Sequence, residues 1–168
     1  MRDEAQRLLD FVRETIRIGE DADLPVQITH YKVVGRDAWG LSVESLALVD
    51  AARSRGIDIT LDHYLYTAAQ TSITVIVPLW AQEGDQAELV ARLRDPETRR
   101  RIKPEIVYRI EYDRGGGDPR NVVIGLCEWD RSLEGKTLAD IAVDHGFEPT
   151  PASGAEVAMD IIEFCGAR

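Results

Sequence analysis

Leu8, Leu9, Val12 and Ile16 recur at helical spacing with charged residues between them, which predicts an amphipathic helix over residues 3–20. Asp23-Leu24-Pro25 breaks that pattern, and Val26 to Thr29 reads as a short buried strand. Residues 35–40 form a polar loop carrying Arg36, Asp37 and Trp39. Ser42 reads as the N-cap of a helix over residues 43–55, with Gly56 as its stop. Ile57 to Tyr64 reads as the next strand. Helix, strand, helix, strand with tight connections is the signature of parallel α/β structure.

The second half has a different rhythm. Asp85 with Glu88 three residues later predicts a capping box, opening a helix that ends near Arg94. Asp95-Pro96 starts another, with proline at the favoured first position, and Pro104 is expected to interrupt it. Residues 105–112 fit either period, and the helical reading is preferred. Gly115-Gly116-Gly117 reads as a turn; it does not open a helix in the spacing that cradles phosphate. Val122 to Cys127 reads as a short strand, Thr137 as the cap of a helix ending at Gly146, and Thr150-Pro151 as the start of a last helix ending at Gly166. The fold class expected is α/β: two units of a parallel barrel or open sheet, followed by a mostly helical appendage. Two parallel strands alone leave faces and edges uncovered, and a full (β/α) barrel takes about 250 residues.

Composition narrows the function classes. The chain has 168 residues, with 30 acidic against 20 basic side chains and a net charge of −10. That balance argues against nucleic acid and anionic membrane as partners. Arg99-Arg100-Arg101 is closely flanked by acids and reads as a solvated helix face. Two cysteines far apart, Cys127 and Cys165, suggest a reducing, cytoplasmic setting without a disulfide framework. No stretch reads as a signal peptide or a bilayer span.

Candidate chemistry gathers at two places. Val26 to Lys32 and Ile57 to Tyr64 are apolar runs that each close on His, Tyr or Lys, and His30 and His63 lie 33 residues apart. One strand–helix unit has about that length, and the carboxyl edge of such a sheet is where chemistry collects. A neutral imidazole at a strand end can ligate zinc, or can simply be a hydrogen-bonded strand-end His. Strand parity sets Leu61, His63 and Leu65 on one face and Asp62, Tyr64 and Tyr66 on the other. The polar trio is therefore read as functional and His63 as a structural residue. Lys32 follows His30 by two and projects to the same side in a continuing strand; it could bind a carboxylate or lie along apolar neighbours. His145 falls at the end of a polar helix. No carboxylate pair suggests glycosidase chemistry, Ser72 and Ser132 lack a nucleophile elbow, and Cys127 reads as a buried strand thiol.

Six separated motifs carry a family resemblance. They are Met1-Arg2-Asp3-Glu4, Pro25 to Lys32, Lys32-Val33-Val34-Gly35-Arg36-Asp37 through Trp39 to Glu44, Leu61 to Ala68, Trp80-Ala81-Gln82-Glu83-Gly84 and Leu133-Glu134-Gly135-Lys136. In this order they resemble the D-aminoacylase (N-acyl-D-amino-acid deacylase) family of the amidohydrolase superfamily. The resemblance implies metal-dependent, TIM-like barrels that hydrolyse the amide of N-acyl-D-amino acids, with metal lowering the pKa of water to make the nucleophile.

Carried onto this sequence, the family's Ser-His-His-Lys motif reads Thr29-His30-Tyr31-Lys32. The resemblance then implies His30 as a zinc ligand, with Lys32 and Tyr64 at the substrate carboxylate. Leu65 replaces a family proline beside Tyr64. The resemblance also implies an internal fragment, in which the chain begins directly after the strand-five ligand. The strand-one His-x-His, the Cys or equivalent ligand and the general-base Asp are absent. The full expectation is a partial TIM-like barrel segment over residues 1–79, holding strands six and seven, and a mostly helical insertion over residues 80–168. No catalytic residue lies in this chain, zinc binding by it alone is weak or absent, and self-association covers the exposed strand edges. Alternatives are a stand-alone binding or scaffold domain, or another amidohydrolase activity such as dipeptidase or cyclic amidohydrolase.

Overall fold

The structure is a computed structural model that describes residues 3–166, and side chains through Phe164. Cys127 is a buried free thiol, while the side chain of Cys165 lies outside the described residues. Two compact units divide at Ala68/Ala69, so residues 69–79 cluster with the second unit rather than with the strand segment.

The first unit runs α1 (Leu8–Ala22), β1 (Val26–Ile28), α2 (Ser42–Ser54) and β2 (Ile59–Leu61). Helix α1 buries Leu8, Val12 and Ile16, one residue every turn, and then Gly19. Gly19 is there for contact: a Cβ would stand 3.1 Å from Val26 Cγ2 and 3.3 Å from Ile57 Cγ2. Close helix–strand approach needs that missing atom. Asp23, at φ 51°, ends the helix in the left-handed region.

β1 and β2 pair in parallel, Val26 opposite Ile59 and Ile28 opposite Leu61, with α2 as the crossover. Ile28, Ile59, Val49, Ala52 and the α1 stripe form one core. Both strands are shorter than expected, because β1 turns at Thr29-His30 and leaves residues beyond Leu61 without a partner strand. Ser42 is the first helical residue of α2, not its cap, and no side chain caps that end. Gly56 closes the region at φ 93°, as expected of a stop.

The second unit is helical: α3 (Gln86–Arg94), α4 (Pro96–Tyr108), α5 (Leu138–Asp144) and α6 (Pro151–Gly166). α3, α4 and α5 all pack on α6. The capping boxes expected at Asp85/Glu88 and at Thr137 both form, the latter with Asp140. Three expectations fail here. Pro104 does not interrupt α4, since the buried row Ile102, Ile106, Ile110 carries the helix past it and Pro104 itself is exposed. A π-helical turn, Arg109–Asp113, continues the same rod.

Residues 122–127 form no strand, only a bridge between Val123 and Thr137. Their partner segment turns into α5 at the Thr137 cap, so no ladder can extend. Arg99 is not a solvated side chain: it is ion-paired with Glu156, Asp160 and Glu163 of α6. Among the described residues no helix is long and apolar enough to cross a membrane.

Candidate functional site at the carboxyl ends of β1 and β2

The site is assembled where β1 leaves the sheet. After Ile28 the chain turns through Thr29 and His30, and His30 holds φ 45°. Histidine tolerates the left-handed region better than most side chains but still needs support there. Asp62 supplies it. One carboxylate oxygen accepts the His30 N–H at 2.5 Å, and the other accepts from Gln27 Nε2 at 2.5 Å. The His30 amide, followed by the Gln27 amide, holds the Asp62 carboxyl below the usual aspartate range. The backbone continues the tie across the turn: Asp62 N–H donates to Ile28 C=O at 3.1 Å and Tyr31 N–H to Asp62 C=O at 2.8 Å.

Tyr31 points inward. Its side chain is buried, and its hydroxyl shares a short hydrogen bond with the buried Ser45 hydroxyl of α2. The residue between His30 and Lys32 is thus a core anchor, leaving its neighbours outside.

Glu4 is the group that sequence reasoning missed. It is one of two buried polar residues among those described. Its Oε1 lies 2.8 Å from His30 Nδ1 and 2.5 Å from Lys32 Nζ. Val34 N–H donates to Glu4 C=O at 2.7 Å and pins that segment beside the strand exit. Two signals were available, an acid at the head of an apolar helix and the Met1-Arg2-Asp3-Glu4 motif of the resemblance, and neither names the partners of Glu4.

Lys32 Nζ also donates to His30 C=O at 3.1 Å, lies 3.1 Å from His30 Nδ1, and stands 5.6 Å from the Tyr64 ring centroid. The expected residues His30, Lys32 and Tyr64 are therefore brought together. Strand continuation is not the reason, since the strand stops at Ile28; the turn and Glu4 gather them. His63 is exposed, its ring 5.9 Å from that of Tyr64, and it stays outside the Glu4 cluster. Tyr66 is 79% exposed and does not join Asp62 and Tyr64, because β2 ends at Leu61 and its alternation with it.

A metal centre is tested directly by the donor set. Among the described residues no group of three His, Cys, Asp or Glu side chains is placed to hold an ion. Structural and catalytic zinc sites take three or four protein ligands. The described residues do not bring such a set together.

No family model matches the chain. The solved structures it resembles are amidohydrolases: a D-aminoacylase described as defining a novel subset of amidohydrolases aligns with TM-score 0.60 and 28% identity. That alignment covers 96% of this chain and 25% of the other. A zinc- and phosphonate-bound N-acyl-D-glutamate deacylase from Bordetella bronchiseptica, at 21% identity and TM-score 0.60, shares the fold.

Within that class, the chain resembles a portion of D-aminoacylase and N-acyl-D-glutamate deacylase, the proteins that curated and solved relatives both name. The D-aminoacylase of Alcaligenes xylosoxydans xylosoxydans is 44% identical over 73 residues, covering 44% of this chain and 15% of the relative. The N-acyl-D-glutamate deacylase of the same organism is 28% identical over 109 residues, covering 65% and 22%. The chain therefore spans less than a quarter of the length of these two curated relatives. A related D-aminoacylase structure is described as carrying a binuclear metal centre.

Proposed function

We propose that this chain forms part of the active site of a metal-dependent hydrolase that cleaves the amide bond of N-acyl-D-amino acids. In this reading β1 and β2 are neighbouring strands of a (β/α) barrel, and residues 80–168 are a helical insertion. The observation that carries it is the Glu4–His30–Lys32 cluster, set at the carboxyl ends of two parallel strands, in a chain that resembles D-aminoacylases. Carboxyl ends of parallel strands are where such folds place their chemistry.

His30 contributes one ligand to a metal centre whose other ligands lie outside this set. Lys32 binds the substrate carboxylate. An ammonium has three N–H donors; Glu4 and His30 C=O take two, and in this reading the third, 3.1 Å from His30 Nδ1 in the structure, turns to the carboxylate when substrate binds. Tyr64 lines the same place and holds the Lys32 ammonium against its ring face. Asp62 keeps the His30 turn in its left-handed conformation. In this reading the chain by itself is inactive, because the described residues bring no three-ligand metal group together.

The test is a hybrid in which these residues replace the matching segment of a D-aminoacylase of known activity. The hybrid should hydrolyse N-acyl-D-amino acids, and Lys32→Ala in it should raise KM with a smaller change in kcat. A carboxylate contact made equally in ground and transition states acts through binding. A folded, metal-loaded hybrid without hydrolysis, or one indifferent to Lys32→Ala, would refute the reading.

A further inference from the structure

We infer that Glu4 is a positioning residue that fixes the tautomer of His30, placing the proton on Nδ1 and leaving Nε2 bare, and that it also holds the Lys32 ammonium in place. The inference rests on the roles proposed above for His30 and Lys32, and it concerns a residue to which those roles assign nothing.

Two neighbours compete for His30 Nδ1. The Glu4 carboxylate at 2.8 Å accepts a proton and so favours Nδ1–H. The Lys32 ammonium, 3.1 Å away, donates and so favours a bare Nδ1 with the proton on Nε2. A neutral imidazole can satisfy only one of them, because one ring nitrogen donates and the other accepts. A protonated Nε2 has no lone pair to offer, so the outcome decides whether that atom can act as an acceptor.

Three observations give the contest to Glu4. Its contact is the shorter, and a charge-assisted bond to a carboxylate is the stronger type. Its side chain is 9% exposed, where an acceptor is worth more than in water. Lys32 already donates to Glu4 Oε1 and to His30 C=O, and so does not depend on Nδ1. With Nδ1 protonated, the third Lys32 N–H is turned away from the ring and is left for a substrate carboxylate. One buried acid thereby prepares both groups, the imidazole and the ammonium. A carboxylate bound to the far nitrogen of a ligating imidazole is a general way to fix tautomer and ring orientation.

The experiment uses the full chain with 15N-labelled histidine. Long-range 1H–15N correlation spectra, followed upward in pH until the ring patterns stop changing, report which ring nitrogen carries the proton. Three histidines give three patterns, and loss of one in His30→Gln assigns it. The native chain should show His30 as Nδ1–H. Lys32→Met should keep that tautomer, because Glu4 remains. Glu4→Met, similar in length but lacking the acceptor, should convert His30 mostly to Nε2–H.

Should Glu4→Met leave the Lys32 charge stranded and fail to fold, Glu4→Met/Lys32→Met removes both charges. Compared with Lys32→Met alone, it should lose the Nδ1–H preference. An Nε2–H ring in the native chain, or Nδ1–H persisting in a folded variant without Glu4, would overturn the inference. A merely structural Glu4 would change stability and leave the tautomer alone. The readout involves no catalysis, so it separates from the functional reading. A hybrid indifferent to His30 would sink that reading while leaving this tautomer result intact.

Discussion

Tyr31 and Glu4 decide, at the scale of single residues, what the polar cluster can do. Tyr31 is driven inward to the Ser45 hydroxyl, so His30 and Lys32 are held outward on either side of it. Glu4 then draws both onto one carboxylate oxygen. His30 and Lys32 were legible as candidates because an apolar run closes on them, and Tyr64 because a second run ends near it. Glu4 was not legible, since its partners lie 26 and 28 positions away and no local pattern encodes that contact. Asp62 was legible by parity as polar, but its work, bracing a left-handed histidine, depends on a backbone conformation that residue types alone do not reveal. Asp62→Ala should accordingly shift the backbone amide signals of residues 29–32 and weaken protection of the Tyr31 amide from hydrogen exchange. Unchanged exchange and unchanged shifts would mean that the turn does not need its carboxylate.

Among the elements, caps and buried rows were the most readable signals. The Asp85 and Thr137 boxes form because a side-chain acceptor, an orphan backbone N–H and a reciprocal acid are all local. Thr137→Ala should cost about 1 kcal/mol of stability in denaturant unfolding. Asp140 completes that box, and the Thr137 backbone N–H, then its hydroxyl, hold the Asp140 carboxyl below the usual aspartate range. The sign follows: a folded-state pKa below the unfolded one gives stability that is present above about pH 4 and lost as pH falls through the folded value. Asp140→Asn should therefore make the acid-induced loss of stability shallower, measured by unfolding at pH 7 and below pH 4; an unaltered slope would contradict it.

α4 shows where local rules lose. Pro104 removes one helix hydrogen bond, yet the row Ile102, Ile106, Ile110 is fully buried, and packing outweighs that cost. Ile106→Ala should destabilise the protein by about 3 kcal/mol. A loss below about 1 kcal/mol would show that the row is not what holds α4 together.

At the scale of the whole molecule, there are two compact units divided at Ala68/Ala69, the first holding both strands and the second α3 to α6. Strand lengths were overestimated because an alternating sequence records side-chain preference, whereas a ladder also needs a partner. β1 turns away at Thr29, and residues 135–137 turn into α5. Among the described residues the sheet has two strands, so each keeps an open edge. Open edges favour pairing with another chain, and sedimentation should show concentration-dependent self-association; a stable monomer at high concentration would argue against it. Zinc titration calorimetry on the chain alone should give weak binding or none, consistent with the lack of a three-ligand group among the described residues. A tight stoichiometric site lost in His30→Ala would contradict this, and would mean that the other ligands come from further residues of this chain or from a second copy.

The most direct test of the central claim, that the carboxyl ends of β1 and β2 form part of an amide hydrolase site, is a paired substitution in the D-aminoacylase hybrid. His30→Ala and His63→Ala are compared for bound metal and for kcat on an N-acyl-D-amino acid. The account predicts that His30→Ala loses metal and abolishes kcat, while His63→Ala leaves kcat and KM nearly unchanged. The reverse pattern, activity and metal lost with His63→Ala and retained with His30→Ala, would contradict the account at its core.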